Sequence, residues 1–231
     1  MFIPLHDDNP TSIQPYITVS IIVACAVIFL WQFAMGPTGQ QMIAYSLGVV
    51  PAVLFGYREL PPEIQVVPAS LTILSSMFLH GGWMHLIGNM LFLWIFGNNV
   101  EDSMGHVRFV VFYVICGAVA VFAHALPNSE STIPMIGASG AISGVLGAYL
   151  LLYPHARVLV LIPLGFFWPT VRLPAMGVLG LWFLWQLISQ AFSNPNQPGV
   201  AFGAHIGGFV AGLALIPLFK HRNVRLLAPP R

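Results

Sequence analysis

The sequence predicts an all-α membrane protein, a bundle of six transmembrane helices, and three observations lead there. The chain has 231 residues, of which 57% are hydrophobic and only 6% charged, where a soluble domain carries about 25% charged residues. Its seven acids and eight Lys and Arg residues fall between apolar runs, so charge marks the loops. The apolar runs themselves approach the length of about 20 residues that a spanning helix needs. A net charge of +1 gives no reason to expect a nucleic-acid partner.

Residues 1–16 read as an N-terminal tail, with Asp7 and Asp8 but no Lys or Arg and no signal-peptide cleavage pattern. The first span is Ile17 to Met35. The connection from Gly36 to Gly82 is proline-rich, has only Arg58, Glu59 and Glu63 as charges, and is expected partly in the headgroup region. Trp83 to Asn99 and Phe109 to Leu126 are the second and third spans. The fourth, Ser139 to Tyr153, stops at Pro154 and reaches only roughly 22 Å against a hydrocarbon core of about 30 Å. If Pro154 and Arg157 mark one face, Ser139 starts below the other. Pro127 to Gly137 must then dip into the membrane, which non-helical backbone does only where protein covers it or water lines it. From Pro154 to Pro174 an apolar stretch is interrupted by Pro163 and Pro169 and is assigned to the interface. Ala175 to Phe192 and Val200 to Phe219 complete a core over 17–219, followed by a basic tail over 220–231. Cys25 and Cys116 lie within apolar runs and read as small packing residues.

Six spans put both termini on one side. The tail carries Lys220, Arg222, Arg225 and Arg231, so the positive-inside rule makes that side cytoplasmic. Arg108, Arg157 and Arg172 then fall inside as well, and Ser139 opens toward the outer face. With no transit peptide or added domain read from the sequence, a bacterial inner membrane is the expected location.

Polar residues within a span are functional candidates, and those read here are His85 and Asn89, Ser139 and Ser143, and His205. All seven acids, Asp7, Asp8, Glu59, Glu63, Glu101, Asp102 and Glu130, are expected outside the spans. A paired-carboxylate site at depth and a His-Glu-x-x-His zinc site are both absent from the sequence, which leaves serine and histidine chemistry. Ser139, in Gly137-Ala138-Ser139-Gly140, would begin a helix, where unpaired N–H groups and a partial positive charge suit a developing oxyanion. Gly140, Ser143, Gly144 and Gly147 would equally form a small-residue packing face with Ser139 as one more member, and on the residues alone that reading is the commoner. His205 shares a helical face with Gly208 and Gly212, as a helix-to-helix hydrogen bond or as the base a serine requires. With no carboxylate at depth the pair would be a dyad. His85 and Asn89, four residues apart, face one way and suit an oxyanion hole or an interhelical contact.

Together the Gly-x-Ser-Gly element at Gly137 to Gly140, His-x-x-x-Asn at His85 to Asn89 and Ala-His-x-Gly-Gly at Ala204 to Gly208 resemble the rhomboid family of intramembrane serine proteases, over about Ile17 to Phe219. The resemblance implies a six-helix rhomboid-like bundle in which Ser139 is the nucleophile, His205 the base, and Asn89, His85 and the Ser139 N–H hold the oxyanion. It also implies single-pass membrane proteins as substrates, cut near the outer end of their helix, in a lipid bilayer and with no cofactor or metal; the oligomeric state stays open. Two positions depart from the family pattern. Leu71-Thr72 stands where many relatives have Trp-Arg, and Ser143 where some have a tyrosine stacked on the base. The alternative function is a catalytically silent relative that binds membrane proteins and guides their trafficking, which would be expected to lack the serine or histidine. A transporter would show paired broken helices and an intramembrane carboxylate, neither of which is read here.

Overall fold

The computed structural model describes residues 2–194 and 197–228; Arg231 of the basic tail lies outside the described residues. A short strand, β1 (Ile3–Asp7), precedes α1 (Tyr16–Ala34). The long connection folds into α2 (Gly36–Leu47), α3 (Pro51–Leu54) and α4 (Thr72–Ser75), the last flanked by 3-10 turns, before α5 (Trp83–Met104) and α6 (His106–Ala125). Then come α7 (Ser139–Leu152), the strands β2 (Arg157–Leu161) and β3 (Thr170–Pro174), α8 (Ala175–Phe192) and α9 (Phe202–Phe219). Among the described residues four helices, α1, α6, α8 and α9, are long and apolar enough to cross a membrane. They expose apolar side chains such as Val23, Val27, Trp185 and Leu218, which marks an integral membrane protein whose outer surface is lipid-facing. The 22 residues of α5 reach about 33 Å and the 14 of α7 about 21 Å.

Short α7 sits at the centre, with Gly140 through Tyr149 all buried between α9, α6 and α5. Small residues set how closely its neighbours approach. A Cβ on Gly208 would meet the Gly140 carbonyl, one on Gly212 the Gly144 carbonyl, and one on Gly147 the Phe209 carbonyl, so α7 and α9 are in backbone contact along one seam. Without a hydrophobic driving force between helices in lipid, such van der Waals closeness holds them together. Gly212→Ala is therefore expected to destabilise the fold by roughly 1–3 kcal/mol through overpacking. Gly180, with nothing within 4 Å of its would-be Cβ, is the control: Gly180→Ala leaves the melting temperature in detergent unchanged or slightly raised. Equal melting of the two variants would refute the close-seam account.

The acids lie outside the spans proposed from the sequence, but two of them do not lie outside the helices. Helix α5 continues through Met104, where Gly105 at φ +80° ends it, so Glu101 and Asp102 belong to its last turn. Glu101 is fully buried. A carboxylate there opposes the negative end of its own helix, but it is aimed at the positive end of another. Its oxygens accept from the Ile17 N–H (2.9 Å), the Thr18 N–H (2.8 Å), the Thr18 hydroxyl (2.7 Å) and His106 Nδ1 (2.6 Å). The two N–H groups are first-turn donors of α1 with no intrahelical partner, and no side chain of α1's own N-cap serves them.

A small sheet corrects the all-α expectation, and residues 154–174, assigned to the interface from the sequence, supply two of its strands. β1 pairs antiparallel with β2, and β2 with β3. Pro163 and Pro169 flank the hairpin turn between β2 and β3, and the turn's Leu164, Phe166, Phe167 and Trp168 are exposed. The N-terminal segment is likewise a strap over the helix ends. Asp7, buried, accepts from the Tyr149 hydroxyl (2.6 Å) and Asn99 Nδ2 (3.0 Å), and burial pushes its carboxyl above the ordinary range. The basic tail docks too: the Leu227 and Ala228 N–H groups donate to the carbonyls of Leu151 and Leu152 at 2.8 and 2.9 Å.

Candidate active site

The chain enters α7 through Gly137, whose φ of +130° is a conformation side chains resist. Its N–H donates to the Ser76 carbonyl at 2.9 Å. Upstream, Met135 and Val49 exchange backbone hydrogen bonds of 2.7 and 3.0 Å, and the Ala52 N–H reaches the Ser131 carbonyl at 2.9 Å. The long first connection thus pairs with the irregular segment 127–137 at Ser131, Met135 and Gly137, the kind of cover that non-helical chain at membrane depth would need. That connection is anchored without a Trp-Arg pair. Thr72 is buried with its hydroxyl on the Ala69 carbonyl (2.6 Å), Ser75 Oγ donates to the Leu47 carbonyl (2.6 Å), and the His80 N–H to Gln32 Oε1 (3.1 Å).

Ser139 is the first residue of α7, so its N–H has no carbonyl within the helix to bind. Its Oγ lies 2.8 Å from His205 Nε2, across the seam that the glycines of α7 and α9 close. The packing reading and the chemical reading therefore describe one arrangement: the small residues bring serine and histidine into contact. The other ring nitrogen, Nδ1, is 2.8 Å from Gln186 Oε1 on α8, a residue absent from the sequence-derived candidates. A buried amide in the middle of an apolar span was the available signal. Ser143, where some relatives carry a tyrosine, turns its hydroxyl back to the Ser139 carbonyl at 2.6 Å. The His205 ring is flanked instead by Trp182, 6.0 Å away and tilted, and by Phe202, 6.3 Å away and edge-on.

His85 lies on the other side of the serine turn. A Cβ at Gly137 would come within 2.8 Å of His85 Cε1 and Nε2, so only glycine admits the ring this close. The Gly81 N–H donates to His85 Nδ1 at 3.3 Å; Nδ1 is thereby the acceptor and Nε2 carries the proton. Asn89, one helical turn on and buried, has an Nδ2 without a partner among the described residues. A buried amide donor without a protein partner is free to bind a water or a substrate oxygen. His85 thus stands beside the serine turn, and Asn89 follows it one turn along α5. His80, whose ring is 5.1 Å from that of His85, completes this side.

Residues 69–222 match the family model of the Rhomboid domain. The chain belongs to the rhomboid family. It is 29% identical over 203 residues to Rhomboid protein 1, mitochondrial, of Saccharomyces cerevisiae, covering 78% of this chain and 54% of that protein. RHOMBOID-like protein 5 of Arabidopsis thaliana is 30% identical over 163 residues, 68% of this chain and 48% of the relative. Rhomboid protease GluP of Bacillus subtilis is 35% identical over 146 residues, 62% of this chain and 25% of the relative. The chain spans about half the length, or less, of these curated relatives. The family includes serine proteases such as GluP, which act on membrane proteins, together with members named only rhomboid-like. Because similar relatives occur in a mitochondrion, a plant and a bacterium, the expected bacterial inner membrane is not favoured by likeness.

Proposed function

We propose that this rhomboid is an intramembrane serine endopeptidase, with Ser139 as nucleophile and His205 as general base. The contact that carries the reading is the 2.8 Å approach of Ser139 Oγ to His205 Nε2, between residues 66 apart in sequence and on different helices. In the forward step the Ser139 hydroxyl proton passes to Nε2 as Oγ attacks the scissile carbonyl carbon. The oxyanion is received by Asn89 Nδ2, His85 Nε2–H and the Ser139 N–H. Collapse breaks the C–N bond, Nε2 returns its proton to the leaving amine, and water repeats the cycle on the acyl-enzyme.

Six helices, α1 and α5 through α9, form the membrane core in this reading, over 17–219, with the N-terminal strap and the basic tail on the cytoplasmic side by the positive-inside rule. Ser139 then faces outward and meets single-pass substrates near the outer end of their helix, with lipid around the bundle and no cofactor. The test is cleavage of a model single-pass protein in lipid vesicles, together with labelling by a serine-reactive fluorophosphonate. The unaltered chain should cut and label, and Ser139→Ala do neither. A chain that cuts nothing across several substrates would point instead to the silent binding and trafficking role. Asn89→Ala, which keeps the dyad, is expected to slow kcat about a hundred- to a thousandfold with little change in KM; an unchanged kcat would remove Asn89 from the oxyanion hole.

A further inference from the structure

Inside a bilayer a serine–histidine pair has a difficulty that a soluble protease does not. The imidazole must present a bare Nε2 to the serine, so its proton has to sit on Nδ1, and something must hold it there. A carboxylate would do so, but an isolated charge at membrane depth is expensive. Here the partner of Nδ1 is the side-chain oxygen of Gln186 at 2.8 Å, and Gln186 is only 5% exposed.

The orientation of that amide is decided by its other end. Gln186 Nε2 donates to the Trp182 carbonyl at 3.2 Å, and a backbone carbonyl can only accept. Turning the amide over would set two oxygens face to face there, and at His205 would make the amide N–H a donor to Nδ1, which is the unreactive tautomer. With Oε1 toward His205, Nδ1 must be the donor, and Nε2 is left with a lone pair directed at Ser139 Oγ, 2.8 Å away. Along the chain Trp182 carbonyl, Gln186 amide, His205 imidazole, Ser139 hydroxyl, the assignment that makes every contact a hydrogen bond is the reactive one.

We propose that Gln186 is a positioning residue for His205, holding the Nδ1–H tautomer through a neutral acceptor, so that the site operates as a Ser139–His205–Gln186 relay. This rests on the serine-protease reading. When Ser139 Oγ forms its bond to the carbonyl carbon, the hydroxyl proton moves to Nε2 and the carbonyl π pair to its oxygen. The imidazolium so formed keeps Nδ1–H on Gln186 Oε1, whose dipole stabilises it, and no proton reaches the amide. Nε2–H is then given to the leaving amine, restoring the starting tautomer.

The experiment has a spectroscopic arm and a kinetic arm, both on the full chain in lipid nanodiscs. Nitrogen-15 spectra of ring-labelled histidine, assigned with His205→Ala, read the tautomer without any turnover. A neutral His205 protonated on Nδ1 is expected, with that signal lost or mixed in Gln186→Leu. In the kinetic arm, Gln186→Leu should lower kcat by roughly ten- to a thousandfold, short of the roughly 10⁴-fold cost of a wrong tautomer in a triad protease, with KM nearly unchanged. Gln186→Glu keeps an acceptor and should recover much of kcat. Because a carboxylate favours the imidazolium, the acid limb of its kcat profile should move to higher pH. The other titratable groups acting on His205, His85 on α5 and His124 on α6, are untouched by either change. A merely structural amide between α8 and α9 would lower activity in both variants and leave the pH profile in place, which would overturn the proposal, as would an unaltered chain whose His205 carries its proton on Nε2. If the unaltered chain cleaves nothing, the protease reading fails, while the tautomer spectrum still decides whether Gln186 positions His205.

Discussion

Ser139→Ala and His205→Ala are each expected to lower kcat by on the order of 10⁴- to 10⁶-fold, and the double variant by no more than the worse of the two. The reason is mechanical. A hydroxyl is a poor nucleophile until its proton has somewhere to go, and His205 Nε2, 2.8 Å from Ser139 Oγ, is placed to take it. Removing either group disables the same step, so the second removal has nothing left to cost. Single-turnover cleavage of a model single-pass protein in vesicles measures all three variants. Losses that multiply in the double variant would mean the two residues act in separate steps, and a Ser139→Ala protein within about tenfold of the original would end the nucleophile assignment.

The largest expected effect on stability lies far from that site. Glu101→Ala leaves the Ile17 and Thr18 N–H groups and the Thr18 hydroxyl without the acceptor they have now, at the buried start of a membrane helix where water is scarce. Losing this cap from another helix should cost roughly 2–4 kcal/mol. Glu101→Gln, which keeps one accepting oxygen, should fall between the two. Thermal unfolding in detergent reads the series, and a melting temperature for Glu101→Ala within about 1 °C of the original would show that α1 is not held this way.

Much of the site was legible in the sequence because its parts have few competing explanations in a bilayer. Where only 6% of residues are charged, each polar group within an apolar run stands out. Ser139, His205, His85 and Asn89 were found on that ground, and the Gly-rich spacing around Ser139 and His205 foretold a close seam. Gln186 was missed because one amide in α8, taken by itself, resembles an ordinary interhelical contact; its role depends on a ring contributed by α9. The sheet was missed for a similar reason. Strands of five residues carry little periodicity, and β1 finds β2 only after more than a hundred intervening residues have folded. Glu101 read as a loop charge because an acid at the end of an apolar run usually is one, and the donors that allow it to be buried belong to α1.

Composition and apolar run length by themselves determined that this chain lives in a membrane, since few charges and spans of about 20 residues leave no other solvent that suits it. The motifs, through their order along the chain, determined which residues could react. Only the tertiary structure decided that they meet. The separation of Ser139 and His205 is set by backbone contact between Gly140, Gly144, Gly208 and Gly212, and the partner of the far ring nitrogen by an amide that α8 supplies. Both are relations between surfaces distant in sequence, fixed by packing and by which donor faces which acceptor, and no local pattern contains them.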